Sequence, residues 1–590
     1  MKIFLSLLAL AFLSSCSSSL IKGLQGESAL EKIVDQYFEK TLRMDPLYAT
    51  SIGDHRFDDQ LTIPITPEFH TQQWNAVQTA LAQVAGIDCA QLGESEALTC
   101  KAFVSDLQNE KRLLESDLSD WMPFDQVGSF FAEYAELASG SSYVTFDNAK
   151  DYENFYRRSL VVPAYIDAMI ANMRVGMKKK ITTPRALVRK ALKQLDRLLV
   201  KDYRKSVFYR PVLTLDRKVS DAEEAQAIRA KYNDLIQNKI YPAYRKLSRF
   251  VRNEYLAHSR SSSGLWAIPG GRKYYLARVR AETTTDLLPD TIFEIGLKEV
   301  SRIEGELEAV KRRLGFKGTL KDFFEFVRKN PKLHPFKTDA QVLDAYRSIE
   351  SRIQAHLSEH FRTIPETPFE IREVEKFEAD NASEAYQNAS PDGSRPGIFW
   401  VPIPNAREYA TPKMESLFLH EVIPGHHFQI SIQQGLDLDR YRRFEGNDAY
   451  VEGWGLYSEG LGRELGLYTD PYPWLGRLEN EMHRAIRLVV DVGIHWKGWS
   501  RERAIRYSLS HEPGDEAGIT SEIERYMAWP AQALSYKIGE LKILELKSRA
   551  KQVLGAKFDE REFHDQILKD GALPLSVLEE KIDRWLKNSR

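Results

Sequence analysis

Cysteine is scarce in this sequence, with only Cys16, Cys89 and Cys100 among 590 residues. None of them has the spacing of a metal site, and the chain contains neither a zinc finger nor a glycine-rich phosphate loop. An excess of one charge is also lacking, because 82 basic residues offset 84 acidic residues to leave a net charge of −2. We therefore expect no nucleic-acid partner.

The N-terminus carries a targeting pattern. Lys2 precedes a largely apolar run from Ile3 to Leu13, and small residues follow. This pattern is typical of a signal peptide, and the run is too short for a permanent membrane-spanning helix. We expect residues 1–15 to be a signal peptide.

Cys16 ends the sequence LSSC, which resembles the bacterial lipoprotein signal, in which the cysteine is lipidated. Ser17 after it resembles the outer-membrane sorting pattern. Residues 16–27 are rich in serine and glycine and indicate a tether. We expect a lipid anchor to the membrane and a periplasm-facing protein of the cell envelope; the alternative is a plain secretion signal with an incidental cysteine.

Cys89 and Cys100 lie eleven residues apart in a chain that is expected to be exported. Disulfides persist in such oxidising compartments, so we predict that these two cysteines are paired. Two free thiols are the alternative.

Helical periodicity dominates the rest of the chain. Apolar residues recur at spacings of three and four in the segments 28–44, 187–200, 222–257, 288–314, 339–361, 477–496 and 533–550. Strand signals are sparse, and the best is GIFWVPI at 397–403. We predict a mostly α fold with a small β-sheet near the middle of the chain.

The stretch LHEVIPGHHFQ, residues 419–429, raises the question of a zinc site. Zinc peptidases usually carry His-Glu-x-x-His, two ligands one helical turn apart with the glutamate as base. Here His426 is about 240° around a regular helix from His420, and His427 is about 10 Å along its axis. Neither pair could share one zinc ion on a regular helix, because zinc–nitrogen bonds are about 2.0–2.1 Å long.

Pro424 and Gly425 lie between the histidines and predict a break in the helix. Proline removes a backbone donor and clashes with the preceding turn, while glycine tolerates the resulting conformation. A local bulge or kink would return His426 to the side of His420. The alternative is a polar turn in which the histidines only cap or line the core.

The stretch YVEGWGLYSE, residues 450–459, strengthens the metal interpretation. Zinc peptidases of the glutamate-ligand type take their third ligand from a following helix, and Glu452 is placed to be that ligand. Two imidazoles, one carboxylate and one open position form a catalytic zinc site, in which Glu421 would accept the proton of the attacking water. Glu459 shares a helix face with Glu452 and could orient a histidine ligand; a surface carboxylate is the alternative.

Three more side chains are candidates for stabilising the negative charge that amide hydrolysis builds on the carbonyl oxygen. Tyr526 and Tyr536 lie on either side of Pro530, and His495 lies in VVDVGIHWKGW. The alternatives are tyrosines that pack between helices and a histidine with a structural role among apolar residues.

Seven stretches spread over most of the mature chain resemble the bacterial "domain of unknown function 885" family. They are DPLYATSIGDHRFDDQL (45–61), the segment 264–304, DGSRPGIFWVP (392–402), the two stretches quoted above, VDVGIHWKGWS (490–500) and PAQALSYKIGELKILEL (530–546). The family is similar to glutamate-ligand zinc metallopeptidases, with a distant resemblance to carboxypeptidase Taq and angiotensin-converting enzyme.

The resemblance implies that residues 28–590 form a helical domain whose lobes flank a deep groove with Zn²⁺ at its floor. By the family motifs, His420 and His426 carry over as zinc ligands, Glu452 as the third ligand and Glu421 as the base. His426 is favoured over His427 because the Gly-His pair resembles the Gly-His of related peptidases.

The strand at 397–403 gains a role beside such a zinc helix. An edge strand containing Phe399 and Trp400 could pair with an extended peptide substrate, main chain to main chain. Arg395 and Lys537 are candidates for binding a substrate carboxylate. A purely structural strand is the alternative.

Our leading hypothesis is a lipid-anchored zinc peptidase that hydrolyses short peptides. A second hypothesis is a catalytically inactive envelope protein that binds peptides or a partner on the same scaffold. A third is a zinc hydrolase of a non-peptide amide. The intact His420–Glu421 pair and Glu452 favour an active hydrolase.

If Cys16 carries the lipid, Cys16→Ser removes the acylated thiol and the protein is released from membranes or left unprocessed. Fractionation of cells and mass spectrometry of the mature N-terminus check this prediction. A wild-type protein that begins elsewhere and fractionates as soluble would contradict it.

Overall fold

The computed structural model describes residues 28–589, apart from 117, 375, 377, 378, 380–382, 391, 392 and 394. The expected signal peptide, Cys16 and the tether lie outside the described residues. The described chain is mostly helical with one small three-stranded sheet, as predicted.

The N-terminal helices form a small cluster of their own. They are α1 (Ala29–Met44), α2 (Pro46–Ser51), α3 (Pro67–Val84) and α4 (Glu94–Leu114). Helix α1 begins at a capping box in which Ser28 and Glu31 bond each other's backbone N–H groups. The predicted disulfide is present, since Cys89 and Cys100 are bonded with their Cα atoms 5.7 Å apart.

The next helices enclose a second core. They are α5 (Phe130–Leu137), α6 (Ala149–Ser159), α7 (Val162–Lys179), α8 (Arg185–Leu198), α9 (Arg210–Lys218), α10 (Ala222–Leu235), α11 (Tyr241–Phe250) and α12 (Leu256–His258). The π-helical segments Ile236–Ile240 and Val251–Tyr255 join the last three into one continuous helix. The stretch 149–179 has the length and composition of a membrane span, but α7 buries Ile166, Met169 and Met173 in this core.

The remaining helices build the body that carries the histidine and glutamate motifs described above. They are α13 (Gly271–Thr283), α14 (Pro289–Arg313), α15 (Leu320–Arg328), α16 (Asp339–Gln354), α17 (Leu357–His360), α18 (Met414–Glu421), α19 (His426–Gly435), α20 (Arg440–Phe444), α21 (Asp448–Gly460), α22 (Pro471–His495), α23 (Arg501–His511), α24 (Glu516–Ala528), α25 (Ser535–Leu554), α26 (Glu560–Leu568) and α27 (Leu575–Asn588). Helix α22 is buried along most of its length, so it forms the axis of this part of the fold.

The sheet corrects one expectation. Its strands are β1 (Phe369–Glu373), β2 (Ala385–Gln387) and β3 (Gly397–Val401), in the order β1-β3-β2. Strand β3, which we expected at the edge, is therefore central: it is parallel to β1 and antiparallel to β2. Strands β1 and β2 take the two edge positions instead.

Helices α21 and α25 approach each other unusually closely at two glycines. A Cβ atom on Gly539 would lie 1.8 Å from the carbonyl oxygen of Ala449, and one on Gly453 would lie 2.5 Å from the carbonyl carbon of Gly539. Neither position has room for a side chain. This contact brings the helix of Glu452 against the helix of Tyr536.

Gly539→Ala should therefore lower the free energy of unfolding by about 1–3 kcal/mol, because the added methyl group overpacks the helix contact. Gly305→Ala is the matched control: it lies at an exposed position of helix α14, and a methyl group added there would have no atom within 4 Å. That change should be neutral or stabilising by about 0.5–1 kcal/mol. Thermal unfolding of both variants checks the contrast. Equal melting temperatures would contradict it.

Candidate metal centre

The predicted break in the helix between His420 and His426 is present. Helix α18 ends at Glu421 and α19 begins at His426, with residues 422–425 outside both helices. Gly425 is required there, since a Cβ atom would lie 1.8 Å from the carbonyl oxygen of His420. The carbonyl oxygen of Pro424 accepts a hydrogen bond of 2.7 Å from the indole N–H of Trp454 on α21. The break is thus packed against the helix that carries Glu452.

This geometry brings two imidazoles and one carboxylate together. The Oε2 atom of Glu452 lies 3.4 Å from Nε2 of His420 and 3.5 Å from Nε2 of His426. A tetrahedral zinc site with bonds of about 2.0–2.1 Å places its ligand atoms about 3.3–3.4 Å apart, so the spacing fits an ion bound to all three. The same Glu452 oxygen is buried without a hydrogen-bond partner in good geometry, which a cation would satisfy.

The centre is open on one side. The side chain of His420 is 3% exposed, whereas those of His426 and Glu452 are 13% and 21% exposed. Structural zinc sites are closed by four protein ligands, whereas catalytic sites keep one position open. The exposure therefore suits a site that a small molecule can reach.

Glu459 fixes the orientation of one imidazole. Its Oε1 atom lies 2.9 Å from Nδ1 of His420, and Glu459 itself is 1% exposed. Burial lowers the pKa of His420, but the carboxylates of Glu452 and Glu459 beside it outweigh burial and raise that pKa to about 10. A buried carboxylate and a half-buried one around one imidazole make this pocket attractive to positive charge, and the Glu459 bond leaves Nε2 directed towards Glu452.

Glu421 lies beside the three converging atoms. The ligand-capable atoms of His420, Glu421 and His426 all lie within 4.8 Å of one another. Glu452 is the nearer carboxylate to both imidazoles, while Oε2 of Glu421 accepts a hydrogen bond of 3.0 Å from the backbone N–H of Tyr386 on β2. Burial raises the pKa of Glu421, although His426 and His420 oppose the shift. This position suits a general base beside a metal site whose carboxylate ligand is Glu452.

His427 points away from the centre. Its Nδ1 atom lies 2.9 Å from the hydroxyl group of Tyr386, and its ring packs against Phe369 of β1. It is 3% exposed, and burial lowers its pKa to about 4, so the imidazole is neutral near pH 7. The sequence left the choice between His426 and His427 to an analogy; the geometry directs only His426 towards Glu452.

Of the two tyrosine candidates, Tyr536 is the one on the helix packed against that of Glu452. Burial raises its pKa, and the charge of Glu452 raises it further. The structure does not support the expected catalytic role of Tyr526. Its hydroxyl group donates to Glu522 at 2.9 Å and accepts from Arg487 at 3.0 Å, within a buried core. Both of its hydrogen-bonding functions are used by the fold.

The structure also does not support the expected roles of His495 at the substrate oxygen and of Lys537 at a substrate carboxylate. His495 is fully buried, with Nδ1 accepting from the backbone N–H of Leu265 and Nε2 donating to the carbonyl oxygen of Tyr526. Lys537 is fully buried too, and its Nζ atom lies 2.6–3.1 Å from the carboxylates of Glu481, Glu540 and Glu299. A lysine held in this way is not available to a substrate, and its role is structural.

The substrate candidates on and before β3 have separate outcomes. Phe399 is fully buried between Tyr346 and Phe418, so its side chain packs in the core and cannot contact substrate. Trp400 is half-buried and donates its indole N–H to Gln387 on β2. Arg395 is half-buried in the loop before the strand. Burial raises the pKa of Tyr386, and the charge of Arg395 opposes part of that shift.

Two residues near the site were missed by sequence reasoning. Tyr386 lies in a three-residue strand with no distinctive pattern, and its backbone contact could not be read from the sequence. Arg487 stacks its guanidinium group 4.6 Å from the ring centre of Tyr536. Its signal was visible, since it is a charged residue within the apolar run of α22.

If the centre binds zinc, we predict that His426→Ala loses most of the metal. Of the two adjacent histidines, only His426 lies with His420 beside Glu452. His427→Ala should keep much more, since that imidazole bonds Tyr386. Metal analysis of both purified variants after dialysis checks the ranking. The reverse ranking would show that the other histidine is the ligand.

Comparison with known proteins finds a family and solved structures that this chain resembles. It gives no match among curated proteins. A solved structure from Colwellia psychrerythraea, described as a "putative lipoprotein", is 28% identical with a TM-score of 0.89 and covers 95% of this chain and 100% of its own. A second, from Shewanella oneidensis and of unknown function, is 19% identical with a TM-score of 0.71, covers 94% and 99%, and shows the fold alone. The model of the family "Bacterial protein of unknown function (DUF885)" matches residues 46–582, so this chain belongs to that family.

Proposed function

We propose that this protein is a zinc-dependent hydrolase that cleaves peptide bonds in short peptides at the cell envelope. The observation that carries the proposal is the convergence of Nε2 of His420, Nε2 of His426 and Oε2 of Glu452 at the spacing of zinc ligands, with Glu421 beside them. Two histidines, a carboxylate and an open side form the donor set of a catalytic zinc site.

The chain's own residues have distinct tasks in this chemistry. His420, His426 and Glu452 would hold Zn²⁺, which acts as a Lewis acid when bound. Glu421 accepts the proton of the attacking water, and its Oε2 atom is already fixed by the backbone of Tyr386. Tyr536 lies on the helix packed against that of Glu452, and it is proposed to stabilise the developing negative charge on the substrate oxygen.

The sheet edge favours a peptide over another amide. Strand β2 pairs with β3 on one side only, and the N–H group of Tyr386 points to Glu421, away from β3. The outer edge of β2 therefore faces the base. Since Glu421 already uses the N–H of Tyr386, a peptide is proposed to pair there through the carbonyl group of that residue. A cavity of about 1130 Å³ lies close to the start of β2, where Glu384 lines it, although His420, Glu421, His426 and Glu452 do not line it. It has room for several residues of a peptide.

Location at the outer membrane, on its periplasmic side, is part of the same proposal. It rests on the N-terminal lipoprotein pattern and on the description of the solved relative from Colwellia psychrerythraea as a "putative lipoprotein". A short peptide substrate suits an enzyme held at that surface by a lipid anchor.

We predict that Glu421→Gln keeps zinc near one ion per chain and lowers turnover on the order of 10²–10⁴-fold, because it preserves shape and removes basicity. Metal content and hydrolysis of a mixed peptide library are measured on the same preparation. Glu294→Gln, an exposed change of the same type on α14, is the control and should keep full activity. If the protein only binds peptides, Glu421→Gln retains its function, and that result would overturn the proposal.

A further inference from the structure

Glu421 is attached to the sheet through a single residue. Its Oε2 atom accepts a hydrogen bond of 3.0 Å from the backbone N–H of Tyr386. Because Tyr386 lies in the edge strand β2, the position of that N–H depends on how firmly this short strand is held. A strand of three residues has few ladder bonds of its own.

The side chain of Tyr386 provides further contacts that fix strand β2. Its hydroxyl group donates to Nδ1 of His427 at 2.9 Å, and the two rings meet edge to face with centres 5.3 Å apart. The imidazole of His427 also packs against Phe369 of β1, with ring centres 4.7 Å apart. One imidazole on α19 therefore contacts both β1 and the edge strand β2.

The neighbouring strand leaves space for this contact. A Cβ atom on Gly397 of β3 would lie 2.4 Å from the hydroxyl oxygen of Tyr386 and 2.9 Å from its Cζ atom. Any other residue at position 397 would push the tyrosine ring out of place. The ring is thus confined on one side by β3 and bonded on the other by α19.

These contacts form a closed path around the break in the helix. It runs from the last residue of α18, Glu421, to the backbone of Tyr386, through the tyrosine ring to His427, and so to α19 next to ligand His426. We propose that Tyr386 and His427 are positioning residues that hold Glu421 in place for proton transfer. This inference rests on the proposed function, because it concerns the base of the same reaction.

The path also accounts for the second histidine of the His-His pair. His426 is directed to Glu452, while His427, the next residue, is directed to Tyr386. Adjacent helical residues point about 100° apart, so one can reach the metal ligands and the other the sheet. The pair fixes the ligand and the base with one turn of helix.

Tyr386→Phe tests the inference, since it removes one hydroxyl group and keeps the ring. We expect turnover to fall about 10–100-fold, as for other lost supporting hydrogen bonds at metal sites, with zinc content near one per chain. The KM should change by less than about two-fold, because no substrate contact is removed. His427→Phe, which keeps a ring and removes the acceptor, should give a similar loss, and the two changes together should not add.

The decisive readout is the same substitution in a Glu421→Gln background. If Tyr386 acts through the base, Tyr386→Phe causes no further loss there. An equal loss in both backgrounds would show that the tyrosine supports the fold in general and would overturn the inference. Tyr152→Phe is the matched control: it removes a buried tyrosine bond of 2.8 Å to the carbonyl oxygen of Pro211 in the second core, and activity should be unchanged.

The two proposals fail in different ways. If Glu421→Gln retains hydrolysis, the proposed function itself is wrong. If Glu421→Gln loses hydrolysis while Tyr386→Phe and His427→Phe both keep it, only the positioning role is wrong. Thermal unfolding of each variant confirms that the losses are measured on folded protein.

Discussion

The candidate site depends on four non-helical residues between α18 and α19. A continuous helix would place His420 and His426 on different faces, about 240° apart. The break reverses that outcome, and the two rings lie with their centres 4.7 Å apart. It is possible only because Gly425 has no side chain to strike the carbonyl oxygen of His420. The remaining elements of the site are arranged around this constraint.

Helix α21 meets the break with three kinds of contact. Trp454 bonds the carbonyl oxygen of Pro424, Glu452 faces both histidines, and Glu459 bonds the back of His420. Gly455 lies between them, and a Cβ atom there would be 2.7 Å from the His420 ring. Behind α21, helix α25 carries the buried Lys537, whose three carboxylate partners come from α14, α22 and α25 itself. Breaking such a buried charge cluster is strongly destabilising, so it ties these helices into one rigid support.

Much of this arrangement could be predicted from the sequence, because its signals are local. The spacing of apolar residues predicted the long helices, and the Pro-Gly pair predicted the break. The order of the strands could not be predicted, since β1 and β2 are short and lie apart in the chain from β3. Lys537 and His495 were misassigned for a related reason: their partners, such as Glu299 and Leu265, lie far away in the chain. The contact between Tyr386 and Glu421 uses a backbone N–H group, which every residue except proline possesses.

His420, His426 and Glu452 are proposed to bind one zinc ion. Crystals of the zinc-loaded protein, with anomalous-difference maps recorded on both sides of the zinc absorption edge, test this binding. We expect a single zinc peak about 2.0–2.1 Å from Nε2 of each histidine and from an oxygen of Glu452. The absence of zinc at these three atoms, or a zinc ion bound by His427, would contradict it.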